Sequence, residues 1–363
     1  MKICGIVTEY NPFHNGHLYH IKKAKEISEC DILIAVMSGN FVQRGEPAIA
    51  DKWLRTKYAL ENGVDIVIEL PYPFALQSAD GFAKGAIRSL QLAGVNCIVF
   101  GSETNDITKL QTIAKEAFQP KTKDFSMAKN FSMTFDTLSS NDILGISYLK
   151  ALQNTNIIPY TIKRTNQYHD TDLAQSIASA TAIRKGVFNN KDISHATVMA
   201  NELNKQHAFS LYYPLIQTLL TTLSPSYLST IFLMDEGIEN LFIKKAVQYD
   251  TLDDFIDSCT SKKYTKSRIQ RTLIHLMTQT TKMEIDNLSN LNHIRVLGFN
   301  EKGKKHLSSL RKKDVQIASC FKQVPQAFRQ IELRACHAYA YPLNGSNRKK
   351  ELSKEMQPPI YIP

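Results

Sequence analysis

Two histidines, His14 and His17, stand three positions apart with Gly16 between them, shortly after a strand-like run at Ile3–Thr8. At the opening of a helix this spacing places both rings on one face of the first turn. A glycine lets a phosphate approach the backbone, and the free N–H groups of a helix N-terminus bind anions. Two such imidazoles could donate to the oxygens that gain charge when a nucleotide α-phosphate is attacked and pyrophosphate leaves. The sequence therefore predicts His14 and His17 as catalytic residues for phosphate chemistry, each donor contributing a factor of roughly 10²–10³.

Two alternatives exist for this pair of histidines. A zinc site would need a third ligand, and the i, i+4 spacing of a His-Glu-x-x-His helix is absent. A chance pair on the surface is common, but the position directly after the first strand-like run favours function. Six scattered cysteines form no Cys-x-x-Cys pair, so we expect reduced thiols and no protein-bound metal.

The first half of the chain alternates short β-branched runs with amphipathic helical stretches. Buried strands and helices that alternate in this way are typical of an α/β fold with a doubly wound, Rossmann-like parallel sheet. Ligands bind at the carboxyl ends of the strands in such a sheet, which is where the two histidines lie. The predicted strands are Ile3–Thr8, 31–37, 64–70, 95–101 and 157–163, and the predicted helices are 18–28, 50–62 and 78–93.

Helical periodicity replaces this alternation in the second half, and a polar stretch at 119–141 predicts a loop. A chain of 363 residues suits two domains of roughly 100–200 residues each. We therefore expect a catalytic domain at 1–190 and a mainly helical domain at 191–363. The predicted later elements are helices at 208–223, 239–249, 265–277 and 324–340 and one strand at 294–299.

The composition, with 43% hydrophobic and 21% charged residues, is that of a folded protein. No apolar run approaches the roughly 20 residues that a membrane span needs, so we expect a cytoplasmic protein without a membrane partner. A formal charge of +10 attracts phosphate-rich partners, although many basic proteins bind only counterions.

The segment His14-Asn15-Gly16-His17 resembles the His-x-Gly-His motif of the nucleotidyltransferase superfamily. The second motif of that superfamily, Ile-Ser-Ser-Thr-x-Ile-Arg, is similar to residues 178–184. Ser179, Thr181 and Arg184 match it, whereas alanine stands at 178 and 180. Such a turn caps a helix, and its arginine can hold the β- and γ-phosphates.

Longer strings at 5–17, 37–48, 100–103, 141–145 and 161–164 resemble the bacterial tRNA(Met) cytidine acetate ligase family over most of the chain. The resemblance implies a ligase that activates acetate with ATP to acetyl-adenylate and pyrophosphate. It then implies acetyl transfer to N4 of the wobble cytidine of elongator methionine tRNA. Because acetate attacks phosphorus and the cytidine amine attacks the acyl carbon, no side-chain nucleophile is needed. We expect Mg²⁺ to be bound mainly by phosphate oxygens and water.

The resemblance also implies a set of ATP-binding residues. The set is Val7, Thr8, Glu9, Tyr10, Asn11, Pro12, Phe13, His14, Asn15, Gly16, His17, Leu18, Tyr19, His20, Gly101, Asn141 and Arg164, to which the second motif adds Ser179, Thr181 and Arg184. The pattern of elements agrees for Gly101 and Arg164, which end predicted strands, and for Asn141, which precedes a helical run.

Arg44 follows the second predicted strand, at the same edge of the sheet. It is a candidate for binding the acetate carboxylate or the tRNA, although an arginine in a Gly-containing loop is more often part of a solvated turn.

Basic residues are concentrated in the second half. One run of this kind is usually a solvated helix face, but several beside a nucleotide-binding domain favour tRNA binding through phosphate contacts. The candidate tRNA-binding residues are Lys262, Lys263, Lys266, Arg268, Arg271, Lys304, Lys305, Arg311 and Lys312.

Two other functions remain open at this point. An adenylyltransferase for a small phosphorylated metabolite would use the same two motifs, but such chains usually end soon after the second motif. A non-catalytic RNA-binding protein on an old nucleotide fold would not need His14, His17 and Arg184, all of which are present.

Overall fold

The computed structural model describes residues 1–115, 138–164, 173 and 177–363, and the elements below are numbered over these residues. Most of the loop predicted at 119–141 therefore lies outside the described residues. Its last residues, from Ser140 onward, begin a helix.

The described strands form one large sheet and a small hairpin. The sheet has the order β10-β8-β5-β2-β1-β6-β7, with β9 paired to β8, and the hairpin is β3-β4. The strands are β1 (Ile3–Thr8), β2 (Ile32–Ser38), β3 (Phe41–Val42), β4 (Glu46–Pro47), β5 (Ile66–Leu70), β6 (Cys97–Ser102), β7 (Ile158–Lys163), β8 (His293–Asn300), β9 (Gln316–Ala318) and β10 (Ile360–Ile362).

Helices cover both faces of this sheet and continue into the second half. Those of the first half are α1 (Asn15–Ser28), α2 (Lys52–Glu61), α3 (Tyr72–Ala75), α4 (Ala79–Leu92), α5 (Ile107–Lys115), α6 (Ser140–Leu152) and α7 (Ala180–Phe188). Those of the second half are α8 (Tyr213–Thr222), α9 (Pro225–Leu228), α10 (Ile238–Gln248), α11 (Leu252–Cys259), α12 (Lys266–Met277), α13 (Lys282–Asp286), α14 (Glu301–Arg311), α15 (Gln326–Tyr339) and α16 (Gly345–Lys354).

Strand β2 shows how the sheet is buried on both faces. Ile34 and Val36 pack with α4, whereas the intervening Leu33 and Ala35 pack with α1 and α2. Successive side chains of a strand point to opposite faces, so a continuous apolar run fits a sheet covered on both sides. The predicted α/β class with a mainly parallel sheet is confirmed; the exception is the antiparallel pair β5–β8.

The sheet itself crosses residue 190, where the sequence placed the domain boundary. The run predicted as a lone strand at 294–299 is β8, and it pairs with β5 of the first half. Strands β9 and β10 then add to β8. The physical reason is that β8 is apolar enough to be buried on both faces, and β5 offers it an open edge.

The helices of the second half pack around their own apolar cluster, which includes Tyr212, Phe242 and Phe255. Phe41 and Tyr72 of the first half join that cluster, and the Tyr72 hydroxyl lies 2.7 Å from Thr278 Oγ1 at the end of α12. The predicted later helices are present within a few residues of their expected bounds.

All six cysteines are free thiols in the structure. Among the described residues, no helix has the length and apolar character required to cross a membrane.

Candidate active site

A cavity of about 740 Å³ opens at the carboxyl edge of the sheet, where the sequence predicted a site. Its walls come from the ends of β1, β6 and β7, the start of α1, the β3–β4 hairpin and the first turns of α4, α6, α7 and α12. A volume of this size suits a nucleotide-sized ligand with room beside it. The second half of the chain therefore contributes to the same cavity as the first.

His14 and His17 cap the first turn of α1 for each other. His14 is the N-cap residue, and its Nδ1 accepts the backbone N–H of Gly16 at 3.0 Å. The Nδ1 of His17 accepts the backbone N–H of His14 at 3.2 Å. The two ring centroids are 3.9 Å apart, which confirms that the rings share one face. Because both Nδ1 atoms accept, each neutral ring carries its proton on Nε2.

The same arrangement explains Gly16. A Cβ there would lie 2.8 Å from Cε1 of the His14 ring, so the glycine makes room for that ring. The sequence had assigned Gly16 only to the approach of a phosphate.

Burial keeps the site histidines uncharged. Burial, helped by the nearby Arg164 and Arg184, lowers the pKa of His14 to about 3. Burial also lowers the pKa of His17, and His14 and His20 add to this effect. Burial lowers the pKa of His20 to about 4, against the opposing effect of its contact with the Val99 carbonyl. At neutral pH the site thus presents neutral imidazoles.

Three of the residues predicted to bind ATP meet on one side of β1. A Cβ on Gly101 would lie 3.2 Å from Cγ of Arg164, so the arginine side chain crosses the bare end of β6. Arg164 Nη1 is 3.5 Å from Asn141 Oδ1, and its Nε is 3.7 Å from a Glu103 carboxylate oxygen. Asn141 Nδ2 donates to that same carboxylate at 2.5 Å.

The second motif forms the opening of α7, as the sequence predicted. Ser179 is the N-cap, and its hydroxyl accepts the backbone N–H of Ala182 at 3.0 Å. Arg184 Nη1 donates to the Asn11 carbonyl at 2.8 Å, and its Nη2 lies 3.1 Å from a Glu46 carboxylate oxygen. Arg184 thus links the α1 loop to the β3–β4 hairpin while lining the cavity.

On the other side of β1 the cavity is lined by the hairpin. A carboxylate oxygen of Glu9, which follows β1, accepts the backbone N–H of Gln43 at 2.7 Å. Burial raises the pKa of Glu9, while the Gln43 hydrogen bond and the charges of Arg44 and Arg184 oppose that rise. Arg44 lies next in the chain and lines the cavity too.

Most of the predicted ATP-binding stretch faces the cavity. The residues of 7–20 that line it are Val7, Thr8, Glu9, Tyr10, Asn11, His14, Gly16, His17, Tyr19 and His20. Phe13 is instead fully buried in the core, and Asn15 Nδ2 donates to the carbonyl of His195 at 2.9 Å. Pro12, Leu18 and Thr181 likewise lie outside the set of lining residues.

The basic residues proposed from sequence fall into two groups. Arg268 and Arg271 of α12 line the cavity, and Arg271 is only 9% exposed. Lys262, Lys263 and Lys266 lie near the same end of α12 but outside the lining. Lys304, Lys305, Arg311 and Lys312 are exposed at α14 or directly after it, and α14 packs against β8 and β9.

Several residues of the cavity were missed by the sequence analysis. Gln77, Ser78 and Asp80 enter it from the start of α4, and Ser147 from α6 donates to Asp80 at 2.6 Å. The only signal in the sequence was Ser78 as an N-cap. Fully buried Arg55 was also missed; it donates to the carbonyls of Glu9 at 2.7 Å and Ser38 at 2.9 Å and so fixes the ends of β1 and β2.

Comparison with known proteins decides the family. The family model described as HIGH Nucleotidyl Transferase matches residues 1–355. The chain is 39% identical over 406 aligned positions to the tRNA(Met) cytidine acetate ligase of Caldicellulosiruptor saccharolyticus, covering 100% of this chain and 99% of the relative. The chain belongs to the HIGH nucleotidyltransferases and, among them, to the tRNA(Met) cytidine acetate ligase family.

Further comparisons agree with this assignment. The tRNA(Met) cytidine acetate ligase of Oceanobacillus iheyensis is 38% identical over 400 positions, covering 100% of both chains. The crystal structure of apo Thermotoga maritima TmcAL superposes with a TM-score of 0.89 at 31% identity, and covers 100% of both chains. The structure of the same protein bound with alpha-thio ATP gives a TM-score of 0.86, again with full coverage. The family resemblance seen in the sequence is confirmed.

Proposed function

We propose that this protein activates acetate with ATP and acetylates N4 of the wobble cytidine of elongator methionine tRNA. The curated relatives are named tRNA(Met) cytidine acetate ligase along their full length, and a similar structure holds an ATP analogue. The observation that carries the proposal is the reciprocal capping of His14 and His17, which leaves two adjacent Nε2–H groups available at the start of α1.

In the first step a carboxylate oxygen of acetate forms a bond to the α-phosphorus of ATP. The bond from that phosphorus to the bridging oxygen of pyrophosphate breaks, and acetyl-adenylate results. Negative charge grows on the phosphate oxygens during this exchange. His14 and His17 donate to those oxygens from fixed positions, which costs no reorganisation at the moment of reaction. The positive dipole end of α1 adds to this stabilisation, while the backbone N–H groups of Asn15, Gly16 and His17 are already bonded within the protein.

The nucleotide is positioned from both sides of the histidines. Gly101, Asn141 and Arg164 hold the nucleoside side, where a bare strand end lets a flat base or ribose pack on the backbone. Ser179 and Arg184 hold the outer phosphates, for which a guanidinium is a suitable partner, whereas Thr181 lies outside the lining and its Oγ1 is 3.5 Å from Arg184 Nη2, where it helps to position that guanidinium. Arg184 is bound to Glu46 at 3.1 Å in this structure, so phosphate would compete with that carboxylate.

Magnesium enters this proposal with the triphosphate. Among the described residues, no group of three or more His, Cys, Asp or Glu side chains is arranged to hold a metal ion. A Mg²⁺ ion coordinated mainly by phosphate oxygens and water fits such a site, and when bound it neutralises charge on the departing pyrophosphate.

In the second step the N4 amine of cytidine attacks the acetyl carbon. The bond from that carbon to the AMP oxygen breaks, AMP leaves, and the amine gives up one proton to water. Arg44 belongs to the β3–β4 hairpin, on the side of β1 away from β6 and β7. We propose that it binds the acetate carboxylate or the tRNA.

The two halves of the chain divide this work. Residues 1–190 carry nucleotide chemistry, and residues 191–363 provide basic residues for tRNA, including Lys262, Lys263, Lys266 and the cluster at 304–312. A tRNA substrate places the reaction in the cytoplasm.

The direct test is to incubate the purified protein with ATP, acetate and unmodified elongator methionine tRNA, and to analyse the tRNA nucleosides by mass spectrometry. We expect N4-acetylcytidine at the wobble position and release of pyrophosphate. Initiator methionine tRNA is the matched control substrate. If pyrophosphate forms only with a small phosphorylated metabolite and never with acetate, the protein is an adenylyltransferase of a different kind.

A further inference from the structure

Arg271 is a buried cation that forms no ion pair with any residue that the structure describes. It lies on α12, is 9% exposed and lines the cavity. Its Nη1 donates to the Gln43 carbonyl at 3.2 Å, whereas its Nε finds no hydrogen-bond partner among the described residues. No carboxylate of the described chain lies within ion-pair distance of it, although buried charges are normally paired.

The surroundings of Arg271 add positive charge. Burial, together with the nearby cations Arg268 and Arg44, lowers the pKa of Arg271 to about 10, so it remains charged at neutral pH. In the described part of the chain, the acidic groups paired with Arg268 lie at long distances, 3.9 Å for Asp235 and 3.8 Å for Glu236. Thr265 and Ser267, at the N-terminus of the same helix, also line the cavity. These residues of α12 form one wall of the cavity, called the α12 wall below. The twelve-residue helix directs its positive dipole end and free N–H groups toward that wall.

This wall lies opposite the nucleotide side of the site. Gly101 and Arg164 stand at the ends of β6 and β7, on one side of β1 in the sheet order, whereas the hairpin that contacts Arg271 follows β2 on the other side. A nucleotide held at β6 and β7 with its phosphates at His14 and His17 therefore leaves the α12 wall to the second substrate.

We propose that Arg271, with Arg268 and the first turn of α12, binds a backbone phosphate of the RNA that carries the reactive cytidine. This inference rests on the proposed function. In a nucleotide the exocyclic amine and the phosphate lie at opposite ends. When the amine of the cytidine lies at the histidines, the phosphate of the same nucleotide therefore points toward the α12 wall.

The path from this wall to solvent favours a polymeric anion over acetate. Lys262 and Lys266 are exposed beside the start of α12, the latter 3.4 Å from Asp257, so basic side chains continue from buried Arg271 through half-buried Arg268 to the surface. A small carboxylate does not need such a row of basic side chains, whereas the successive phosphates of an RNA can bind along it.

The test separates the two steps of the reaction for Arg271→Gln. The first step is measured without RNA as acetate-dependent exchange of pyrophosphate into ATP, and the second as acetylation of tRNA. We expect the KM for tRNA to rise at least about tenfold, and the loss in acetylation to exceed any loss in exchange by a similar factor. The slope of log affinity for tRNA against log salt should fall by roughly 0.7–0.9, which corresponds to one phosphate contact.

Two further variants keep this test decisive. Arg271→Lys retains the charge and should recover part of the tRNA affinity, which a purely structural role would not predict. Arg329→Gln, on α15 and outside the cavity lining, is the matched control and should leave the KM for tRNA unchanged.

The outcomes distinguish this inference from the function on which it rests. If exchange and acetylation fall equally in Arg271→Gln, the residue serves acetate or ATP, and the inference is overturned. It is also overturned if neither changes. If the wild-type protein shows no acetate-dependent exchange at all, the proposed function itself fails, whatever Arg271 binds.

Discussion

Gly45 lies so close to the backbone nitrogen of Arg271 that a Cβ on the glycine would stand 2.3 Å from that nitrogen. Gly45 also adopts φ +81, in the left-handed region that favours glycine. Through this contact the β3–β4 hairpin of the first half of the chain packs tightly against α12 of the second half. It is one of the contacts through which distant parts of the chain build a single cavity.

Gly45→Ala should destabilise the protein by more than the backbone conformation alone explains. The left-handed φ costs an L-residue about 1–2 kcal/mol, and the clash with Arg271 adds to that cost because backbone atoms cannot rotate away. Gly237→Ala is the matched control, since Gly237 has φ +80 and no atom of a described residue within 4 Å of its Cβ position. Urea unfolding of both variants measures the difference; equal losses would show that the hairpin and α12 are not tightly packed.

A buried ion cluster attaches the end of the chain to the sheet. Lys52 Nζ lies 2.6 Å from a Glu69 oxygen and 2.9 Å from a Glu355 oxygen, and all three side chains are nearly inaccessible. Arg295 pairs with both carboxylates from β8. Lys52→Met should lower the free energy of unfolding by about 3–5 kcal/mol, because it leaves buried carboxylates short of a partner.

The exposed pair Lys23–Glu26 has the same 2.6 Å separation and provides the control. Lys23→Met should leave the unfolding midpoint unchanged within error, because solvent already screens that pair. A similar loss of unfolding free energy in both variants would mean that burial does not determine how much the cluster stabilises the protein.

The sequence predicted well the first-half elements that surround the cavity, because the signals there are local. Ile3–Thr8 and the adjacent His14-Asn15-Gly16-His17 lie within one short segment, and Ser179 caps a helix two residues from Thr181. Local periodicity and capping residues suffice for such features.

The contribution of the second half was not predictable in the same way. The pairing of β5 with β8 joins residues more than two hundred positions apart, and no local pattern encodes such a partner. Arg271 stood in a basic run that is typical of a solvated helix face. Only the packing of α12 on the hairpin shows that it is buried in the cavity, while Lys266 on the same helix is exposed.

The lowered pKa values of the site histidines predict the pH dependence of the first step. Because their pKa values are about 3 and 4, His14 and His20 stay neutral at pH values well below 6.5, the usual pKa of histidine. When the pH is lowered from 8 to 5.5, the rate of acetate-dependent exchange should therefore not fall tenfold around pH 6.5. A fall of that size in a folded protein would show that these imidazoles titrate normally.

The same shifts make stability depend on pH with a definite sign. The unfolded chain takes up protons on these histidines near pH 6.5, whereas the folded chain does so only near pH 3–4. Below pH 6.5 the unfolded state therefore binds more protons, and the free energy of unfolding decreases as the pH is lowered. Urea unfolding at pH 7.5, 6.5 and 5.5 measures this slope, and a stability that rose toward pH 5.5 would contradict the assignment.

The central claim is that His14 and His17 act as neutral Nε2–H donors to the reacting phosphate. Its most direct measurement is acetate-dependent exchange of labelled pyrophosphate into ATP by His17→Ala, compared with the wild type and with the exposed His337→Ala as control. We predict at least about a hundredfold loss for His17→Ala, with the control at the wild-type rate and all three proteins folded. Exchange by folded His17→Ala within a few fold of the wild type would contradict the account.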